Sequence, residues 1–362
     1  MRVSISMFAA FAATLAVLHL TDVAYELGIA ESARLLILMT VIAGLFVTIR
    51  EQRAHWRKAR TVSCPERIRL KCWSIVIGLL GVLAYAKLMT EFGVHPFGTF
   101  LSDYAMALPV ILLLLPFYVR WADKHLAEPD DAYHAFGKVL VRQSRFRMRE
   151  HKAFLLAWIV KIAFIPFMYG ALVLASEKLV SMDLIWRPAP VINWLFMFGL
   201  AFDLVIGASG YLFASKLLGN EVISTDGTWS GWLVCMICYP PLLGFFQIVY
   251  RQVDSIVWDR WLLPSEPLYW VWAVLVTTTW LIYWLSTASF GLRFSNLSWR
   301  GLVAHGPYAW TKHPGYVSKN LYWWLHTVPF VGVSGWGELA RNVLGLCCLS
   351  LVYYLRAKTE ER

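Results

Sequence analysis

The stretch that decides the fold is AFLLAWIVKIAFIPFMYGALVLAS, residues 153–176, with Lys161 as its one charged residue. As a helix rising about 1.5 Å per residue it would run roughly 36 Å, longer than the roughly 30 Å hydrocarbon core of a bilayer. It has no polar stripe to face water and no period-two alternation, so it reads neither as a surface helix nor as a half-buried strand. Nine further runs resemble it, at 3–20, 35–49, 73–91, 100–120, 191–215, 229–250, 267–290, 314–333 and 338–356. The expected fold is therefore all-α, a polytopic integral membrane protein of about ten transmembrane helices. One re-entrant segment would make the count nine or eleven.

Composition agrees. Hydrophobic residues make up 59% and charged residues 15% of the 362, and the mean hydropathy is +0.56. A soluble globule could not cover that much apolar surface. The same figures exclude disordered, collagen-like and coiled-coil chains. The net charge of +10 belongs to membrane sidedness rather than to a nucleic-acid partner. The first apolar run lacks a small-residue cleavage site and reads as a span rather than a signal peptide. Of the six cysteines, Cys235 and Cys238 form a CxxC, but inside an apolar run and with no second pair, so no metal site is expected.

Basic residues set the orientation. Segments 50–72 and 120–152 carry eight Lys/Arg each, whereas 21–34, 92–99 and 177–190 carry three together. Positive charge stays on the cytoplasmic side, so the N-terminus is expected inside and, with ten spans, the C-terminus and segment 291–313 as well. Segment 132–152 mixes aromatic and basic residues and reads either as an amphipathic helix on the inner leaflet or as a solvated basic loop. Lys87, Lys161 and Asp203 lie inside spans, where an ion pair or a functional role is the default expectation.

Chemistry concentrates at the end of the chain. Residues 291–330 read GLRFSNLSWRGLVAHGPYAWTKHPGYVSKNLYWWLHTVPF. Gly306-Pro307-Tyr308 is a turn signal. Pro314 suits the first position of a helix, whose exposed N–H groups favour an anion, with Lys312 and His313 beside them. His313, Tyr316, Asn320 and Trp323/Trp324 recur at helical spacing and share a face. Segments 314–333 and 338–357 should form an antiparallel hairpin that returns Arg356, Glu360 and Glu361 to the level of His313. Cationic and anionic ends would then face each other across a pocket fit for a small zwitterion.

These motifs, Gly-Pro-Tyr at 306–308, Lys-His-Pro-x-Tyr at 312–316 and Arg-x-x-x-Glu-Glu at 356–361, resemble the isoprenylcysteine carboxyl methyltransferase and phospholipid methyltransferase superfamily. The resemblance is close over about residues 285–362. The phrases RFSNL, KNLYWWL, GWLVCMICYPP and YYLRAKTEER look like a bacterial branch of it with extra N-terminal spans, which implies a bacterial inner membrane. It divides the chain into an N-terminal transmembrane region, 1–266, and a methyltransferase-like region, 267–362. It implies S-adenosylmethionine as cofactor, held by Tyr308, Lys312, His313, Tyr316, Asn320, Glu360 and Glu361, with His313 and Tyr316 at the methionine part and Glu360 at its ammonium or ribose. Arg356 would order the charges on the substrate side and, with Glu360, take the catalytic roles. Lys312 stands where the family often has arginine, and the sequence stops at Arg362, where the family usually continues past its paired glutamates into a short aromatic-rich tail. The implied partner is a lipid or isoprenoid-like acceptor. The rival readings are an NADPH-dependent sterol-type reductase, which has a similar histidine signature, and a transporter, whose expected internal repeat the sequence does not show.

Overall fold

The computed structural model describes residues 1–58, 61–254 and 256–361. Arg60 of the first basic segment and Arg362 lie outside them. The chain is almost wholly helical. The helices are α1 (Arg2–Leu20), α2 (Val23–Leu27), α3 (Ile29–Lys58), α4 (Pro65–Glu91), α5 (His95–His125), α6 (Ala132–Leu140), α7 (Met148–Ser181), α8 (Pro188–Leu212), α9 (Trp229–Met236), α10 (Leu243–Tyr250), α11 (Trp258–Trp261), α12 (Pro267–Phe290), α13 (Pro314–Thr327) and α14 (Trp336–Glu360). A two-residue ribbon, β1 (Ser224–Thr225) and β2 (Ser298–Trp299), pairs antiparallel with Ser224 opposite Trp299.

Among the described residues, eight helices are long and apolar enough to cross a membrane: α1, α3, α4, α5, α7, α8, α12 and α14. This is the architecture of a polytopic membrane protein. Two of the ten expected spans are not continuous helices. In 229–250 the helix stops at Met236 and resumes at Leu243. Pro240 and Pro241 fall in the gap, and neither can supply an N–H to a helical ladder. In 314–333 the helix ends at Thr327 after 14 residues, about 21 Å and too short to span alone. Several long helices extend past their apolar runs. In α7, 34 residues long, charged residues from Arg149 and Lys152 to Glu177 and Lys178 occupy both ends. In segment 132–152 only Ala132–Leu140 forms a separate helix before α7 begins at Met148.

The core is built from facing helices rather than one central layer. α1, α3, α7 and α8 share a cluster that includes Phe11, Leu36, Phe164, Leu172 and Ile206. Gly199 and Gly207 on α8 allow close approach. The ring of Trp284 on α12 lies where a side chain at Gly199 would have to stand.

Interactions between loops assign the two ends of the bundle. Thr61 donates from its backbone to the Lys124 carbonyl at 3.1 Å, and Arg67 and Lys71 pair with buried Asp123 at 2.8 and 3.1 Å. Trp56 donates to the Leu217 carbonyl at 2.7 Å, and the ribbon ties 224–225 to 298–299. Both basic segments, the ribbon and the segment leading to α13 therefore share one end. At the other end His19 meets the Met182 carbonyl at 3.2 Å, and Arg34 pairs with Asp103 at 2.9 Å.

Candidate functional site

α13 and α14 form the expected hairpin, and its open end lies at the end of the bundle that carries the ribbon. His313 precedes the first turn of α13, which no side chain caps, so the N–H groups of that turn stay available and the helix dipole adds partial positive charge. α14 ends at Glu360, one turn beyond Arg356, with Glu361 following.

Tyr316 is the hub. Its hydroxyl donates to Glu360 Oε1 across a short hydrogen bond, and it accepts from Arg356 Nε at 3.1 Å and Nη2 at 2.8 Å. The residues joined by the first of these bonds are 44 apart in sequence. Arg356 Nη2 also donates to Asn296 Oδ1 at 2.7 Å and to Glu360 Oε1 at 3.2 Å. The guanidinium lies 5.6 Å from the centre of the Tyr316 ring, and that ring stacks on Tyr353. His313 approaches both glutamates, with Nδ1 4.0 Å from Glu360 Oε2 and Nε2 3.3 Å from Glu361 Oε1. The second approach is within ion-pair range, but it is not aligned as a hydrogen bond.

Exposure grades across the cluster. The Arg356 side chain is 5% exposed, His313 19%, Glu361 32% and Glu360 40%. The inner wall is thus a satisfied polar network, and the outer rim offers two carboxylates, an imidazole and the exposed Lys312. Lys358, hydrogen-bonded at 2.9 Å, followed by His313 and Lys312, holds the Glu361 carboxyl below its usual range. Tyr308 packs edge-on against Phe290 at 4.9 Å. Burial, and then the Glu360 charge, push its phenol above the usual value. Gly306 opens the turn that brings Tyr308 there, with φ at 64°, and a side chain on it would meet Ser289 Oγ at 2.5 Å. Its glycine is required both by that backbone angle and by that contact.

The structure brings together His313, Tyr316, Arg356, Glu360 and Glu361, with Tyr308 and Lys312 at the rim. It does not place Asn320 in this cluster. Asn320 Oδ1 accepts from Ser350 Oγ on α14 at 2.7 Å, and Ser350 Oγ also accepts from Trp324 Nε1 at 3.0 Å. Trp323 Nε1 donates to Tyr353 at 3.0 Å. This face therefore locks the hairpin, as polar residues between membrane helices do.

The largest residue missed by motif reasoning is Asn296. Its Nδ2 donates to Tyr211 at 2.9 Å and Tyr239 at 3.0 Å while its Oδ1 holds Arg356, so α8 and the segment after α9 buttress the site. The only signal for it is its place in the phrase RFSNL. Nearby Arg300 is 4% exposed and donates to the Gly210 carbonyl at the end of α8. Burial pushes its guanidinium down to about 10, so it still carries its charge at neutral pH.

The intramembrane charges are arranged differently from the expected pair. Lys161 donates to the Tyr133 hydroxyl at 3.3 Å and lies 5.0 Å from the Trp158 ring. Asp203, 8% exposed, instead accepts from Tyr283 at 2.8 Å, and Lys319 sits 4.1 Å from the Tyr283 ring. Lys87 is exposed on the bundle surface, where its long stem lets the ammonium reach the interface. Cys235 is buried and all six cysteines are free. Among the described residues, no cluster of three or more His, Cys, Asp or Glu is placed to hold a metal ion.

Compared with protein-family models, curated proteins and solved structures, the chain has no match.

Proposed function

We propose that the protein is an integral membrane methyltransferase that uses S-adenosylmethionine on a lipid or isoprenoid-like acceptor, as the resemblance of its last segment implies. The single observation that carries this reading is the convergence of His313, Tyr316, Arg356, Glu360 and Glu361, drawn from two motifs some forty residues apart, into one cluster. The residues fit the cofactor. Glu360 and Glu361 are part-exposed carboxylates whose remaining lone pairs suit its ammonium and hydroxyls. Lys312, His313 and the uncapped start of α13 are donors for its carboxylate. Tyr308 and the Tyr316 ring supply aromatic surface.

When bound, S-adenosylmethionine supplies an electrophilic methyl carbon. The chain's residues then have to orient and to exclude water, since alignment at near-attack distance supplies most of the acceleration such a step needs. Arg356 is held rigid by Tyr316 and Asn296, which suits it to fixing the position of Glu360 and the charge of an acceptor. A carboxylate or thiolate acceptor needs no base, in keeping with a cluster that offers no free one in its interior. The two basic segments share this end of the bundle, so the reading places the site and both termini on the cytoplasmic side, where the donor is made.

One observation favours the reductase as a second reading. The Tyr283–Asp203 pair, 2.8 Å apart with Asp203 buried, is the kind of proton donor that addition across a double bond requires and methyl transfer does not. The test is incubation of the purified protein and a bacterial lipid extract with methyl-labelled S-adenosylmethionine. Label in the lipid phase that is lost in Glu360→Ala supports methyl transfer. A lipid phase without label, together with NADPH consumption on an unsaturated isoprenoid, overturns it.

A further inference from the structure

A second recess lies toward the opposite end of the same helices. It is a cleft of about 380 Å³ between α8, α11, α12 and α13. Two of its lining residues, Tyr322 and His326, are six and ten positions past Tyr316, which puts them about 9–15 Å along the helix from the His313 cluster. None of the motif residues lines it.

Its walls are aromatic. Trp280 meets Phe196 at 4.7 Å and Tyr322 at 4.6 Å, both edge-on, and stacks with Trp284 at 5.8 Å. His326 in turn stacks on Tyr322 at 4.9 Å. At the α11 side the cleft carries a half-buried carboxylate, Asp259, and beside it the exposed Arg260. Its Oδ1 is shielded from solvent and has no hydrogen-bond donor among the described residues. A shielded carboxylate oxygen without a donor is costly unless something supplies one.

We infer that this cleft binds an amphipathic organic ammonium, with its N–H groups on Asp259 and its apolar body against Phe196, Trp280, Trp284 and Tyr322. An alkyl chain alone would leave Asp259 unsatisfied, and an anion would meet Arg260 at the exposed edge of the cleft but offer the shielded Asp259 Oδ1 no proton. A cation gains from the carboxylate and from the ring faces together. A neutral alcohol is the nearest competitor, since its hydroxyl can donate to Asp259 and accept from the shielded indole N–H of Trp280 or Trp284. It forms no ion pair with Asp259 and has no cation–π attraction to the rings. The inference is independent of methyl transfer at the other end.

The test is calorimetric titration of the full-length protein in a non-ionic detergent with n-hexylammonium, 1-hexanol and hexanoate at neutral pH. The expected order is hexylammonium tightest, about tenfold tighter than hexanol, with hexanoate weakest. Asp259→Asn, which keeps the shape of the side chain, should weaken hexylammonium about tenfold, and Trp280→Phe about threefold. Melting curves without ligand confirm that both variants are folded. Equal affinity for hexanol and hexylammonium, or unchanged hexylammonium binding in Asp259→Asn, overturns the inference. Identical heats in all three proteins mean partition into the micelle and overturn it equally.

Discussion

Arg356→Met and His313→Ala should separate the supporting wall of the cluster from its binding rim. Arg356 is 4% exposed and donates to half-buried Tyr316 and to buried Asn296. Hydrogen bonds to a charged group are worth about 1.5–3 kcal/mol each, so losing these two partners costs about 3–5 kcal/mol. The contact with Glu360 adds less than about 1 kcal/mol, because that carboxylate is 40% exposed and water screens it. With about 2.1 cal/mol/K of unfolding entropy per residue over 362 residues, the expected drop in melting temperature is about 4–7 °C. The polar contacts of His313 are with half-exposed carboxylates, at 3.3 and 4.0 Å, and its ring lies tilted 5.9 Å from that of Tyr316. Its removal should move the melting temperature of the ligand-free protein by less than about 1 °C. It should weaken adenosylhomocysteine about tenfold to a hundredfold, the loss of one charge-assisted partner. The assay is paired differential scanning fluorimetry without ligand and calorimetric titration with adenosylhomocysteine. If Arg356→Met melts with the wild type, or His313→Ala melts well below it and binds normally, the division into wall and rim is wrong.

Three further outcomes follow from the geometry. Asn320→Ala should lower the melting temperature slightly, at about 1 kcal/mol for the lost bond to Ser350, and leave adenosylhomocysteine affinity unchanged; a tenfold weaker affinity would return Asn320 to the pocket. Asp203→Ala should cost about 1–3 kcal/mol by stranding the Tyr283 hydroxyl, Lys161→Met should cost less, and the double mutant should be additive within about 0.5 kcal/mol, whereas strong coupling in denaturant titrations would show that the two charges interact after all. Burial, followed by Lys138, holds the His134 pKa below its usual 6.5; a depressed pKa gives stability that is complete above 6.5 and is lost as pH falls through the folded value, so acid melting curves should be flatter in His134→Gln, and a steeper curve there would reverse the sign.

The long apolar helices were readable because a bilayer demands about 20 apolar residues in a row, and α1, α4, α5, α7, α8 and α12 meet that demand without ambiguity. Hydropathy could not show the breaks. Residues 229–250 stay apolar across Pro240 and Pro241, so the gap between α9 and α10 is a backbone effect inside a uniform pattern. The hairpin was legible because helical spacing and a short turn fix which ends meet, and that put Tyr316 beside Glu360. Asn296 as the partner of Arg356, and Tyr211 and Tyr239 as the partners of Asn296, were not legible. They come from three separate segments, and only packing of α8 against the turn after α12 brings them together. The pairing of Lys161 and Asp203 failed for the same reason. Each charge in a span needs a partner, but sequence does not say which neighbouring helix supplies it, and here Tyr133 and Tyr283 do.

The central claim is that the open end of the α13–α14 hairpin holds S-adenosylmethionine, and calorimetric titration of the purified protein with adenosylhomocysteine and, separately, with NADPH tests it most directly. The account predicts saturable one-to-one binding of adenosylhomocysteine that is weakened in His313→Ala and Glu360→Ala, and no binding of NADPH. Saturable NADPH binding with no heat from adenosylhomocysteine would contradict it.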